Sequence, residues 1–297
     1  MSTNTPRAVF VTRETDFELL IARHATRDQA RFFLETRGQA LTEVETTHQR
    51  FADTLRAARA SVPAEWRQTL LRRADFNRFV FGPEDVIIAV GQDGLVANIA
   101  KYLSGQPVLG VNAAPDLYDG VLVQLKVEQL AKLLPESIHG DVALQNRTMV
   151  EAVLDGGERL RALNEIFVGH RSHQSARYQI SVEDRQENQS SSGLIIASGT
   201  GATGWARSIM QSMQLIIPLE PEERAIAYFV REPFPSISTG TDIRAGKLVQ
   251  DPLTITSRMN DGGTIFADGI EQDHLRFDWG RTLKVGPSAQ SLTLVSG

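Results

Sequence analysis

The chain has no cysteine among its 297 residues, which excludes disulfides, thiolate metal sites and a cysteine nucleophile. It has little excess charge: 31 basic and 36 acidic side chains leave a net charge of −5, so a broad nucleic-acid surface is not expected. No run approaches the roughly 18 apolar residues of a membrane helix, and residues 1–10 lack an apolar signal-peptide core. These absences predict a cytoplasmic protein without membrane or nucleic-acid partners.

The hydrophobic pattern of the first half alternates between buried strands and helices. Such an alternation is typical of an open, Rossmann-like α/β layer with parallel strands. The segment 14–80 is predicted to be helical, including a helix that begins at Pro63 and carries Trp66, Leu70 and Leu71. The remaining predictions for this half are strands at 8–13, 86–90 and 108–111, a helix at 95–103, and a short helix at 127–134 that is closed by Pro135.

The second half consists mainly of short alternating segments separated by Gly, Asp, Asn or Pro, and it is predicted to be a β-rich domain. Asp155-Gly156-Gly157 indicates a hairpin. The polar stretch 183–192 is predicted to be a loop, and 203–214 a helix. The expected domains are 1–141 with a returning segment at about 286–297, and 142–285.

The strongest chemical motif lies in residues 86–103. Five apolar residues form a predicted strand, Gly91-Gln92-Asp93-Gly94 form a turn, and a helical pattern follows. A glycine-containing turn before a helix brings backbone N–H groups close to a phosphate. The Asp93 carboxylate would repel that phosphate unless it acts on a metal or a proton, so the motif indicates phosphoryl transfer.

Two further segments carry polar groups between apolar ones. Asn164-Glu165 suits ribose hydroxyls or a base edge, and its alternative interpretation is an ordinary polar pair on an edge strand. A strand runs into the Gly, Ser and Thr residues of segment 192–205, which permit close approach to a ligand, and Trp205 offers a stacking face. A flexible surface loop would look similar.

Other polar residues have simpler interpretations. Asp268-Gly269 is predicted to be a β-turn, and His48 is predicted to be a packed histidine on an apolar helix stripe. His170 and His173 lack a third ligand at convincing spacing, so a zinc site is not expected.

In order and spacing, these motifs resemble the NAD kinase family, within the superfamily that also contains diacylglycerol and sphingosine kinases. The resemblance rests on Gly91-Gln92-Asp93-Gly94, Gly110-Val111-Asn112, Asn164-Glu165, the segment from Ser198 to Trp205, and Asp268-Gly269. It implies an N-terminal α/β domain, a C-terminal β-rich domain and an active site between them. It also implies ATP as phosphoryl donor, Mg²⁺ or another divalent cation, NAD as acceptor at the 2′-hydroxyl of its adenosine ribose, and a homo-oligomer.

The resemblance also implies roles for individual residues. Asp93 would be the general base or would orient the acceptor hydroxyl, and the metal ligands stay open. Gly91, Gln92 and Gly94 would bind ATP phosphates. The residues expected to bind NAD are Asn112, Asn164, Glu165, Ser192, Thr200, Gly201, Thr203 and Trp205.

The chain departs from the family pattern at several positions. Gln92 replaces a glycine, which is costly if that position needs a positive φ, and Leu95 replaces a threonine, which removes a hydroxyl from the phosphate side. Ser192 replaces an aspartate, the Gly-x-Leu-Gly-Phe-Leu segment is absent, and segment 14–80 is longer than the family needs. Two alternatives therefore stay open: a kinase of the same superfamily acting on a lipid or sugar, and a non-catalytic NAD(P)-binding sensor.

Overall fold

The computed structural model describes residues 5–117 and 119–296. The chain divides into two compact units. Unit 1 comprises Met1–Gln145 with Thr293–Gly297, and unit 2 comprises Asn146–Leu292.

Unit 1 is built on a parallel sheet in the order β2-β1-β3-β4. Strands β1 and β3 lie in the middle and are almost fully buried, which explains their continuous apolar sequences. The chain enters β2 on one side of β1 and later continues from β3 to β4 on the other side. The carboxyl ends of β1 and β3 therefore form the switch point at which open α/β sheets bind ligands. The strands are β1 (Arg7–Thr12), β2 (Arg67–Arg72), β3 (Asp85–Gly91) and β4 (Pro107–Asn112).

Five α-helices accompany this sheet in the described part of unit 1. The first is fixed by a capping box, in which Thr15 and Glu18 satisfy each other's backbone N–H groups. The helices are α1 (Asp16–His24), α2 (Arg27–Glu35), α3 (Leu41–Ala60), α4 (Asp93–Ala100) and α5 (Leu130–His139).

The prediction of a helix from Pro63 is wrong. Residues Arg67–Arg72 form β2, which pairs residue for residue with β1. Trp66, Leu70 and Leu71 span little more than one helical turn, too short a stretch for periodicity to separate helix from strand. Pairing decides the outcome, because β2 supplies hydrogen bonds to the open edge of β1.

The prediction that Pro135 closes a helix is also wrong. Pro135 lies inside α5, which continues to His139 and ends at Gly140 in a left-handed conformation. Its ring removes one helical N–H donor but leaves the remaining turn intact.

Unit 2 contains two antiparallel sheets that share one apolar core. One sheet has the order β12-β11-β10-β7-β14-β15, and in the other β16-β13-β8-β9 are neighbours while β5 pairs with β6 and β16. The elements are β5 (Leu144–Leu154), β6 (Arg159–Ala162), β7 (Glu165–His170), β8 (Ala176–Val182), β9 (Arg185–Ser191), β10 (Leu194–Ala197), α6 (Trp205–Ser212), β11 (Ile226–Val230), β12 (Ala245–Leu248), β13 (Leu253–Ser257), β14 (Gly263–Ala267), β15 (Ile270–Arg276) and β16 (Thr282–Val295). The expected combination of an α/β layer and a β-rich region is confirmed.

The loop predicted at 183–192 is largely strand β9, so that prediction is wrong. Strand β9 pairs with β8 along its whole length, and Glu183 makes the turn at φ +51°. Its sequence lacks apolar residues because the two buried positions are polar: Gln189 and Ser191 both hydrogen-bond the Tyr178 hydroxyl.

Strand β16 serves both units. Residues 282–285 pair with β13 within unit 2, whereas Thr293 and Leu294 pair with the start of β4 within unit 1. Among the described residues, none of the helices is long and apolar enough to span a membrane.

Gly110 on β4 allows the segment 121–125 to lie directly against the strand. A Cβ at Gly110 would overlap the carbonyl oxygen of Leu122. We therefore expect Gly110→Ala to lower the free energy of unfolding of the chain by about 1–3 kcal/mol, since backbone cannot yield as a flexible side chain does. Urea denaturation measures this, with Gly286→Ala as control, because a Cβ there meets only Pro252 at 3.9 Å. Equal stabilities of the two variants would contradict the interpretation.

Candidate functional site

The turn that follows β3 lies at the switch point of the unit 1 sheet. Gly91 has φ +149°, in the region that favours glycine, and it turns the chain into α4. A Cβ at Gly94 would meet nothing within 4 Å, so the first turn of α4 is open on that side. This arrangement leaves N-terminal helix N–H groups available to a phosphate.

Gln92 does not strain the turn, contrary to the possibility considered from the sequence. It has φ −116°, which any L-residue adopts, and its side-chain oxygen accepts a hydrogen bond from Arg13 at 2.9 Å. Leu95 is buried, and its side chain lies next to the turn, 3.6 Å from the position that a Cβ of Gly91 would take. The expected loss of a hydroxyl from the phosphate side stays a prediction.

The Asp93 carboxylate is held by backbone. Its oxygens accept hydrogen bonds from the N–H groups of Val121, Leu122 and Val123 at 2.9, 2.8 and 3.0 Å. A carboxylate has about four lone-pair positions, so three are occupied and one is left for another donor. Asp93 thus fixes the segment 121–123, a role that the sequence did not indicate.

Asn112 lies beside this turn in unit 1, because it is the residue opposite Gly91 in the β3–β4 pairing. Its side-chain oxygen accepts a hydrogen bond from the N–H of Ala114 at 2.9 Å, which starts the loop after β4. The structure therefore places Asn112 with Gly91, within the unit that carries the glycine turn.

Asn164 and Glu165 stand at the start of β7 in unit 2. Both are half-buried, and within the described residues neither side chain makes a hydrogen bond. Polar side chains in such a position are expected to find partners, and here the partner must be solvent or a ligand. Strand β7 is paired with β10 on one side and with β14 on the other, so the alternative of a polar pair on an edge strand is wrong.

Asp268 fixes the backbone under this pair. Its carboxylate accepts hydrogen bonds from the N–H groups of Leu163 at 3.0 Å and Asn164 at 2.7 Å, and more weakly from Glu165 at 3.4 Å. Asp268 has φ +50° and occupies the turn between β14 and β15, as predicted. The sequence pointed to Asp268-Gly269 as a motif but indicated no role for the Asp268 side chain, which holds the backbone of residues 163–165.

The loop after β10 lies directly against Asn164. The Ser198 hydroxyl donates to the carbonyl oxygen of Leu163, and the Ser198 N–H donates to that of Asn164 at 2.9 Å. A Cβ at Gly201 would overlap the Asn164 carbonyl oxygen, and one at Gly199 would overlap that of Glu220. The glycines therefore permit a close approach that no other residue allows, and the loop is not a loose surface segment.

Thr200 and Thr203 continue this loop. Thr200 is buried, and its hydroxyl lies 3.4 Å from the guanidinium of Arg147, which is 4% exposed. The Thr203 hydroxyl donates to the Thr200 carbonyl oxygen at 2.9 Å. A buried arginine beside the loop adds positive charge that no sequence motif indicated.

Trp205 opens α6 and is 38% exposed. Its ring is stacked on Phe167 with 6.3 Å between centroids and 7° between planes, and the Arg231 guanidinium lies 5.3 Å from its centroid. Phe167 is in turn stacked on Phe266 at 4.7 Å. The predicted stacking surface is thus part of an aromatic row on the same face of β7 as Glu165, since residues two apart share a face.

Ser192 lies next to the aromatic row, because a Cβ at its chain neighbour Gly193 would stand 2.8 Å from the Phe167 ring. It lies exposed before β10, whereas Ser198 and Thr200 follow the other end of that strand. Its N–H donates to the Arg231 carbonyl oxygen at 2.9 Å. The NAD-binding role expected of Ser192 stays a prediction, without support from the neighbours of Asn164.

His48 fits its interpretation as a packed histidine. His48 is packed against Phe17, with 5.1 Å between ring centroids, and its Nδ1 lies 2.8 Å from the Thr15 hydroxyl. Across residues 5–117 and 119–296, no group of three or more His, Asp or Glu side chains is placed to hold a metal ion.

The electrostatics of the site centre on Glu165. Burial raises the pKa of the Glu165 carboxyl to about 7, and the charge of Asp268 adds to the rise. Glu165 is therefore divided between its protonated and ionised forms near neutral pH, which allows it to accept or to donate a hydrogen bond there.

This pKa makes the stability of the chain depend on pH. A carboxyl whose folded pKa lies above its unfolded value stabilises the fold below about pH 4.5, and this contribution is lost as pH rises through 7. At ~1.4 kcal/mol per tenfold change in the ionisation constant, the loss is about 3 kcal/mol at most. We expect Glu165→Gln to become more stable relative to the unsubstituted chain between pH 5 and about pH 8, as measured by urea denaturation. Glu271→Gln, at an exposed position on β15, is the control, and parallel pH profiles for all three proteins would contradict the assignment.

Comparisons with known proteins agree with this geometry. No family model matches the chain. It is 24% identical over 173 residues to the NAD kinase of Chlorobaculum tepidum, a match covering 55% of this chain and 60% of the relative. It is 35% identical over 132 residues to that of Heliobacterium modesticaldum, covering 42% and 46%. The chain thus spans about half the length of the curated relatives it matches.

Two solved structures share the fold. Yeast NADH kinase complexed with NADH superimposes with a TM-score of 0.58 at 18% identity, covering 99% of this chain and 84% of that one. An NAD kinase from Archaeoglobus fulgidus in complex with ATP gives 0.59 at 19% identity, covering 98% and 93%. In fold and, at low identity, in sequence, the chain is therefore NAD kinase-like.

Proposed function

We propose that the chain is an ATP-dependent NAD kinase, which transfers the γ-phosphate of ATP to the 2′-hydroxyl of the adenosine ribose of NAD and gives NADP. The observation that carries this proposal is the Asn164–Glu165 pair. Its two side chains are half-buried, lack hydrogen bonds within the described residues, and stand beside a loop that Gly199 and Gly201 hold close. Sugar hydroxyls match their mixture of donors and acceptors.

The relatives support the two ligands. The yeast neighbour is named as an NADH kinase and was solved with NADH, and the Archaeoglobus neighbour was solved with ATP. In this chain, the residues that would hold the acceptor are Asn164, Glu165, Thr200, Gly201, Thr203 and Trp205, and Ser192 and Asn112 keep the same predicted role. Gly91, Gln92 and Gly94 would lie along the donor phosphates, toward which α4 directs its N-terminus.

Asp93 has a narrower role in this proposal than the sequence suggested. With three backbone N–H groups already bound, one acceptor position is left for the ribose hydroxyl. Asp93 would orient that hydroxyl for attack on the γ-phosphorus. The new bond joins the 2′-oxygen to phosphorus, the bond from phosphorus to the β,γ-bridging oxygen breaks, ADP leaves, and the proton of the hydroxyl is released to solvent.

The side chains of the described residues fit Mg²⁺ only if the ion arrives bound to the phosphates of ATP. No cluster of three ligating side chains occurs in the described ranges, and Mg²⁺ commonly binds through substrate phosphates, water and one or two carboxylates. The metal would neutralise charge on the phosphates. The homo-oligomer and the cytoplasmic location stay predictions.

A coupled assay tests the activity. The full chain is incubated with ATP, MgCl₂ and NAD, and NADP is detected with an NADP-specific dehydrogenase. We expect NADP to form in proportion to the enzyme added. Binding of NAD that raises the melting temperature without ATP consumption would indicate a sensor, and transfer of labelled phosphate to a lipid or sugar alone would indicate the other kinase class.

The variant Asp93→Asn tests the role of the carboxylate. In asparagine, an NH₂ group replaces one of the two carboxylate oxygens and points at a backbone N–H that then has no acceptor. We therefore expect the free energy of unfolding to fall by about 1–3 kcal/mol. We also expect NADP formation to be lost. The expected loss of stability arises from the three backbone hydrogen bonds that the carboxylate accepts.

Gly110→Ala separates the two effects of Asp93→Asn, because it disturbs the same segment but keeps the carboxylate. If Asp93 contacts the acceptor, Asp93→Asn loses much more turnover per folded molecule than Gly110→Ala. Equal losses in the two variants would limit Asp93 to positioning the segment 121–123.

A further inference from the structure

The long segment before β3 forms an open pocket that the proposed activity does not use. The pocket measures about 440 Å³ and lies between α3 and the carboxyl ends of β1 and β2, within unit 1. Thr12 and Arg13 reach it from the end of β1, and Leu70 and Arg72 reach it from β2. The carboxyl ends of parallel strands are where such sheets bind ligands.

One face of α3 forms the other wall. His48, Ala52, Leu55, Arg56 and Arg59 line the pocket, and their spacing of three and four residues places them along one side of the helix. The apolar stripe predicted for this helix gives no role to its arginines.

The lining is strongly positive. Four arginines and one carboxylate, Glu18, face the pocket, although the whole chain has a net charge of −5. Arg72 is paired with Glu18 at 3.0 Å, and Arg56 is paired with Asp53 at 2.6 Å.

The other two arginines contact only neutral oxygens. Arg13 donates to the Gln92 side chain at 2.9 Å, and Arg59 to the Gln68 side chain at 3.4 Å. Within the described residues, neither has a carboxylate at ion-pair distance. Two uncompensated guanidinium groups on opposite walls of a pocket match the geometry of phosphate oxygens, which arginine binds in pairs.

We propose that this pocket binds a phosphate-bearing anion with more than one phosphate, held chiefly by Arg13 and Arg59, with Arg56 adjoining Arg59 on the lining face of α3. The pocket shares Arg13 and Phe51 with a smaller cavity of about 80 Å³ at Gly91 and Gln92. The smaller cavity is also lined by the carboxylates of Glu14 and Asp16, so the phosphates are expected to stay in the larger, arginine-lined pocket. The proposal rests on unit 1 alone and stands whether or not the chain phosphorylates NAD.

Calorimetric titration of the full chain with sodium tripolyphosphate tests the proposal, in about 0.15 M NaCl to screen weak surface binding. We expect saturable binding that weakens about tenfold or more in the double variant Arg56→Ala/Arg59→Ala. Arg50→Ala is the matched control, because Arg50 lies on the same helix, pairs with Asp116 at 3.9 Å and does not line the pocket. We expect it to bind within twofold of the unsubstituted chain.

Absence of saturable binding, or equal weakening in the Arg50 control, would overturn the proposal. If the alanine double variant is not folded by circular dichroism, Arg56→Gln/Arg59→Gln replaces it, because glutamine keeps much of the aliphatic stem and removes the charge.

A competition experiment identifies the source of the phosphates. If ATP displaces tripolyphosphate, the pocket takes the phosphate chain of a nucleotide, and if ATP leaves the titration unchanged, it takes a free polyphosphate. Either result supports a phosphate pocket. Failure of NADP formation with intact tripolyphosphate binding would overturn the proposed activity and leave the pocket standing.

Discussion

In each unit, one aspartate carboxylate accepts hydrogen bonds from three consecutive backbone N–H groups, and this fixes the backbone around the polar residues of the candidate site. In unit 1 Asp93 binds the N–H groups of residues 121–123, and in unit 2 Asp268 binds those of residues 163–165. Hydrogen bonds to a charged acceptor are stronger than those between neutral groups. Apolar burial positions the strands of each unit, but these aspartates set the course of the chain where the strands end, and the candidate site depends on that course.

Much of the architecture follows from local sequence, and the failures have a common physical cause. The strand, glycine turn and helix around Gly91 are predicted correctly because burial, positive φ and helical spacing all act within a few residues. Strands β2 and β9 are missed because their conformation is decided by pairing with β1 and β8. Polar strands such as Arg185–Ser191 carry no hydrophobic signal, so only the partner reveals them.

The same distinction applies to the candidate site. Asn164 and Glu165 could be found from the sequence because a polar pair interrupts an apolar stretch. The contribution of Asp268 could not, since it acts on a backbone N–H 105 residues away. Arg147 carries no motif, and only the fold buries it beside Thr200. The raised pKa of Glu165 likewise arises from burial and from Asp268, neither of which is visible in the local sequence.

The course of β16 has a consequence for the order in which the chain acquires its structure. The edge of β4 is completed by Thr293 and Leu294, which the ribosome makes after every residue of unit 2. During synthesis, domains generally fold from the N-terminus onward, but here the earlier unit must wait for its last strand. Unit 2 is therefore the part that can finish first, and until then the start of β4, at Pro107 and Val108, is an unpaired edge that is open to association with other chains.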